Sequence, residues 1–110
     1  SDSEKNLLCL LFISSQIKQI RCARGMTQEN LAALIGTKQP AIARLESGSW
    51  KNVSIKTLQK IAEAFDCGLS VRFDSFAALF NCLARTGPSS KPPMTYEEER
   101  EISDHDDTTA

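Results

Sequence analysis

The sequence predicts a mainly α domain of four to five helices followed by one C-terminal strand, and three observations carry that prediction. Apolar residues recur at helical spacing early in the chain, Leu10, Ile13, Ile17 and Ile20 stepping by 3, 4 and 3. Glycines at positions 25 and 36 cut that pattern into separate segments. From Leu69 the period drops to two: Leu69, Val71 and Phe73 alternate with Ser70, Arg72 and Asp74, the pattern of a half-buried strand.

The first helix should run from about Glu4 to Arg24, where Gly25 stops it. In its first half Leu7, Leu8, Cys9, Leu11 and Phe12 surround the axis and need burial on two sides, supplied either by a partner subunit or by the C-terminal helix of the same chain. The second helix opens on the Thr27 N-cap, with Glu29 and Asn30 in its first turn and Leu31, Leu34 and Ile35 inward, and closes at Gly36. A third runs from about Lys38 to Ser47 with Ala41, Ile42 and Leu45 inward, and its Pro40 is tolerated in the first turn. The loop from Gly48 to Val53 is polar apart from Trp50, a side chain expected to pack on the body. A fourth helix starts at the Ser54 N-cap, buries Leu58, Ile61, Ala62 and Phe65, and ends near Cys67 and Gly68.

The strand that follows cannot satisfy its own backbone. It needs a partner, most simply the same strand of a second subunit across a two-fold axis, with Leu69, Val71 and Phe73 at the dimer contact. A fifth helix, about Phe76 to Ala84, offers Leu79, Phe80 and Leu83. Thr86 to Pro93 has the composition of a linker, and the acidic remainder has little to bury, so disorder or conditional order is expected there. The chain thus divides into a body (4–68), a dimerisation extension (69–85) and a linker with an acidic tail (86–110).

Charge follows the same division. The 110 residues sum to −1, but residues 94–110 hold seven acids against Arg100, a net of −6, which leaves +5 on residues 1–93. Between Ile17 and Lys60 eight basic residues face only Glu29 and Glu46. The longest apolar run, Leu7 to Ile13, is far short of the roughly 20 residues of a membrane helix and lacks the flanks of a secretory signal, so a cytoplasmic, nucleoid-associated protein is expected. Cys9, Cys22, Cys67 and Cys82 form no CxxC pair, and the one histidine, His105, sits in the tail beside Asp104 and Asp106. No metal site and no cofactor are expected; the cysteines read as reduced, buried hydrophobes, with a disulfide or redox role as the lesser alternative. An enzyme has little support, because the body contains neither a histidine nor a glycine-rich phosphate loop.

The informative segment is Thr27 to Glu46, TQENLAALIGTKQPAIARLE. Two short helices meeting at a steep angle need a small residue where they touch, and Ala32 supplies it; the turn needs positive φ, and Gly36 supplies that. Leu31, Ile35, Ile42 and Leu45 then fill the angle. This is a helix-turn-helix pattern.

Through RCARGMTQENLA, GTKQPAIARLESG and SIKTLQKIAEAF the chain resembles the phage-repressor-like helix-turn-helix family, the XRE or Cro type, over about Gln16 to Cys67. LSVRFDSF and PPMTYEEE extend the resemblance to a bacterial subgroup of small regulators with an appended strand and helix. The resemblance implies a lambda-repressor-like bundle whose third helix enters the major groove, presenting Lys38, Gln39, Pro40 and Arg44 to base edges while Ile42 and Leu45 point inward. The chemistry agrees: Gln39 can bond adenine N6 and N7, Arg44 guanine O6 and N7, and the Pro40 ring can pack on a thymine methyl. By the same resemblance Thr27 and Gln28 meet a phosphate at the start of the second helix, and Ser49, Lys51 and Asn52 grip the other side of the groove. Arg21 and Glu46 match a family pair that fixes the reading helix.

The implied function is a sequence-specific repressor that binds a pseudo-palindromic double-stranded DNA operator as a homodimer. Relatives of this size include autoregulators, prophage regulators and antitoxins. The alternative is therefore an antitoxin-type interaction module whose acidic tail binds a toxin or other protein partner.

Overall fold

A computed structural model describes residues 2–49, 53–86 and 91–108, with the side chains of 2–11, 83, 86 and 105–108 outside the description. Six helices follow in order: α1 (Asp2–Ala23), α2 (Gln28–Ile35), α3 (Gln39–Ser47), α4 (Ile55–Phe65), α5 (Phe76–Thr86) and α6 (Tyr96–Thr108). Helix α3 packs on α1 and α2, and α2 packs on α4.

The expected local chemistry builds α1 to α4. Helix α1 ends as Arg24 N–H donates to Ile20 O and Gly25, at φ +69°, turns the chain so that Met26 N–H reaches Arg21 O. Thr27 caps α2 in a reciprocal box: its hydroxyl oxygen accepts from Asn30 N–H, and the Asn30 side chain accepts from Thr27 N–H. Gly36, at φ +77°, closes the helix in the left-handed region, and Thr37 N–H returns to Ala32 O at 2.8 Å. Ser54 caps α4 by accepting from Thr57 N–H. Asp66 ends α4 at φ +54°, the one non-glycine residue with positive φ among those described.

The core consists of Ile17 and Ile20 of α1, Leu31, Ala32 and Ile35 of α2, Ile42 and Leu45 of α3, and Ile61 and Phe65 of α4. Met26, Val53, Ala64 and Cys67 pack around it. Leu34 does not belong there: it is 61% exposed, in a shallow groove with Lys60, Glu63 and Ala64. The buried stripe of α2 is centred among Leu31, Ala32 and Ile35, and at about 100° per residue Leu34 lies about 100° off that centre. Choosing Ala32 as the contact residue turns Leu34 outward.

Three further expectations change. No strand forms among the described residues; 68–75 is irregular, with Val71 63% and Phe73 107% exposed and Leu69 exposed as well. Among the described residues nothing offers this segment a ladder partner. Residues 96–108, expected to show disorder or conditional order, form α6. Thr95 starts it, its hydroxyl oxygen accepting from Glu98 N–H at 3.0 Å, and Glu97, Glu98 and Glu99 sit at the positive end of the helix dipole. Tyr96 N–H donates to Asp66 O, and Arg24 Nη2 to Pro93 O, so the start of α6 is tied to the ends of α1 and α4.

Cys22, expected to be buried, is exposed, because it falls about 200° round the helix from Ile20. Cys67 and Cys82 are half-buried. Burial pushes the Cys67 thiol above its ordinary value, with Asp66 adding to the shift and Arg24 opposing it. The side chains of Cys9 and of the Leu7–Leu11 run, Leu83 and His105, and all of Trp50, lie outside the described residues. Among the described residues no helix is long and apolar enough to cross a membrane.

The core boundary is testable. Leu31→Ala or Ile42→Ala should lower the unfolding free energy by about 2–5 kcal/mol, and Leu34→Ala by no more than about 0.5 kcal/mol, in urea denaturation. A cost at Leu34 equal to that at Leu31 would return Leu34 to the core.

Candidate nucleic-acid interface

The site is the outer face and N-terminal end of α3, with the first turn of α2 beside it. Ile42 and Leu45 anchor α3 by their burial. At helical spacing that places Pro40 and Arg44 on the opposite side, and both are exposed. Lys38 occupies the N-cap position in extended backbone, and the residue is exposed. Pro40, in the first turn, has no N–H to leave unpaired.

Gln39 is half-buried because it is held from behind. Its Nε2 donates to Gln28 Oε1 at 2.7 Å, and Gln28 Nε2 donates in turn to Glu46 Oε1 at 3.1 Å. Glu46 also receives Arg21, Nε on Oε2 at 2.6 Å and Nη2 on Oε1 at 3.0 Å. Arg21 Nη1 donates to Met26 O at 2.7 Å. The side chains of this pair are 12% and 4% exposed, and the bond to Glu46 raises the Arg21 guanidinium above its already high ordinary pKa against the opposing effect of burial. Arg21 and Glu46 are therefore in direct contact, and the chain of bonds continues from them out to the face of α3.

The flanking residues divide. Thr27 uses its hydroxyl oxygen as the α2 cap and keeps its hydroxyl hydrogen for another acceptor. Ser49 touches the Ser47 hydroxyl, and Ser47 Oγ donates to Arg44 O. Lys51 and Asn52 lie outside the described residues. Of the bases counted in the basic segment, Arg21 is bound by Glu46, and Arg24 donates to Phe65 O and Pro93 O. That leaves Lys18, Lys38, Arg44, Lys56 and Lys60 as the exposed cations among the described residues of that segment. Among the described residues, no group of three His, Cys, Asp or Glu side chains could hold a metal ion.

Sequence reasoning assigned Gln28 and Gln39 separate roles and missed their contact. The available signal was positional: each is the first residue of its helix, and the turn centred on Gly36 brings the two helix starts together.

Comparison with known proteins adds a family. A helix-turn-helix family model, HTH_3, matches residues 17–71. Two proteins of Archaeoglobus fulgidus described as uncharacterized HTH-type transcriptional regulators are similar. One is 36% identical over 59 residues, 54% of this chain and 83% of the other. The second is 40% identical over 52 residues, 47% and 72% respectively. The crystal structure of a point mutant of the restriction-modification controller protein C.Esp1396I superposes with a TM-score of 0.51 at 32% identity, covering 70% of this chain and 90% of that one.

Removing one partner of the Arg21–Glu46 pair leaves a poorly solvated charge, so Glu46→Ala should cost roughly 2–3 kcal/mol in denaturant unfolding. A raised cationic pKa contributes stability that is complete below the unfolded-state value, and for an arginine that value lies above the working range. The coupling measured by a double-mutant cycle with Arg21→Ala should therefore stay constant between about pH 6 and pH 9. A coupling that fades across that interval would contradict the assignment of the charges.

Proposed function

The chain belongs to the helix-turn-helix family of DNA-binding transcriptional regulators, and from that premise we propose that it is a repressor that reads a pseudo-palindromic operator as a homodimer. Its work is then binding and not catalysis. The observation that carries the proposal is the exposure of Pro40 and Arg44 on the side of α3 opposite the buried Ile42 and Leu45, with Lys38 exposed at its start.

Base edges in the major groove require donors and acceptors in fixed positions. Arg44 supplies a planar pair of donors suited to guanine O6 and N7, Gln39 one donor and one acceptor suited to adenine, and Pro40 an apolar ring for a thymine methyl. Thr27, Gln28, Ser49, Lys51 and Asn52 are assigned to phosphates, where they set register and make affinity salt-dependent. Replacing Gln39 or Arg44 with Ala should weaken binding to the site selected from a random DNA pool by about 1–3 kcal/mol and leave binding to unrelated DNA nearly unchanged. Equal losses on both would refute base contact by these side chains.

The dimer is supported by the extension. Leu69, Val71, Phe73, Phe76 and Phe80 all keep at least two fifths of their surface in water within one chain, and burying a single such side chain is worth about 1.5–3 kcal/mol. A dimer that binds a palindrome holds its two reading helices about 34 Å apart, one turn of B-DNA. Light scattering should report a dimer at micromolar concentration for the full chain and a monomer for Phe73→Asp. A monomeric parent protein would overturn the dimer.

A further inference from the structure

The side-chain amide of a glutamine can face either way, since turning its last bond by 180° exchanges a donor for an acceptor of nearly the same shape. At Gln39 that choice decides which base pair is matched. Resting on the assignment of Gln39 to base edges, we propose that Glu46, acting through Gln28, is a positioning residue that sets which way the Gln39 amide faces the DNA, and so determines the base pair selected.

The argument runs outward from the carboxylate. The Glu46 carboxylate offers acceptors only, and its two oxygens take Nε and Nη2 of Arg21. Gln28 must therefore present Nε2 to Glu46 Oε1, which it does at 3.1 Å, and its Oε1 is left pointing toward α3. Gln39 must in turn present Nε2 to that oxygen, at 2.7 Å. Turning Gln39 alone would put two carbonyl oxygens against each other at this separation with no hydrogen between them. Turning both glutamines would set the Gln28 oxygen against the Glu46 carboxylate. Every alternative costs a hydrogen bond in a half-buried place, so one orientation survives.

What remains for the DNA is Gln39 Oε1 and its second N–H, in fixed order. An A·T pair shows the major groove, in sequence, the N7 acceptor, the N6 donor and the O4 acceptor. A free glutamine can match either adjacent donor–acceptor couple by turning over. A glutamine held from behind matches one order only and separates base pairs that a free one tolerates together.

The test uses the full chain and sequencing of DNA selected from a random pool, which reports preference position by position. Gln39→Ala first identifies the base pair read by Gln39, as the position where preference is lost. Gln28→Met removes the amide while retaining the length of the side chain and the Arg21–Glu46 pair. It should lower affinity on all sequences, through the phosphate, and in addition reduce the preference at the Gln39 position by about tenfold, leaving other positions unchanged. Glu46→Gln, which can accept or donate, should relax the same position; a circular dichroism melt establishes that each variant is folded. If Gln39→Ala removes a preference and Gln28→Met leaves it intact, the relay is wrong while base contact by Gln39 stands. If Gln39→Ala changes no position, base contact itself fails, and the relay fails with it.

Discussion

The Arg21–Glu46 pair joins the end of α1 to the end of α3, and the placement of the site depends on it. The planar guanidinium meets the carboxylate with two nitrogens and spends a third N–H on Met26 O, so one side chain ties together α1, the turn before α2 and α3. Ion pairs withdrawn this far from water are weak contributors to net stability, because desolvation offsets most of the attraction. Their geometric demand is strong, since both groups are satisfied in one arrangement only. Here that arrangement also delivers an acceptor to Gln28, so a contact inside the fold sets the donor and acceptor pattern at its surface.

The apolar core has a different role. Leu31, Ala32 and Ile35 of α2 against Ile42 and Leu45 of α3 fix the approach of the two helices. Apolar packing is non-directional and would tolerate a small rotation of α3 about its own axis. Glu46 and Gln39 lie at the two ends of α3, both tied back to Gln28, and hydrogen bonds at both ends resist the rotation that the core permits. Core and polar chain are complementary: one brings α3 to its position, the other sets its facing.

Much of the fold was legible from local signals, and the misses share a cause. The helix starts at Thr27 and Ser54 and the stop at Gly36 are written in single residues whose chemistry acts within one turn, and all are observed. Leu34 was misplaced because helical spacing alone does not say which edge of an apolar arc meets the neighbour; the small residue Ala32 decides that. Helix α6 does not follow from composition, which points to disorder or conditional order; its start lies in the Thr95-x-x-Glu98 signal of the sequence. The alternation of Leu69, Val71 and Phe73 is real in the sequence, but a ladder is a property of two strands, and among the described residues no second strand pairs with this segment. At the site, the residue types pointed to base contact, whereas the bonds joining Gln39, Gln28 and Glu46 span 11 and 18 positions and become visible only once the turn is formed.

Charge ends up more narrowly distributed than the segment sum implied. The basic stretch carries a nominal excess of six, yet Arg21 faces inward to Glu46, and Arg24 serves the backbone oxygens of Phe65 and Pro93 at the root of α6. The acids of α6 are anchored there through Tyr96 and Glu97, whose N–H groups donate to Asp66, and among the described residues none of Glu97 to Asp104 forms an ion pair with Lys38 or Arg44. The attraction of phosphates to exposed cations such as Lys18, Lys38, Arg44, Lys56 and Lys60 carries no sequence information. Discrimination has to come from base contacts of well-defined polarity, and that is where a buried carboxylate controlling the facing of a surface amide has the most leverage.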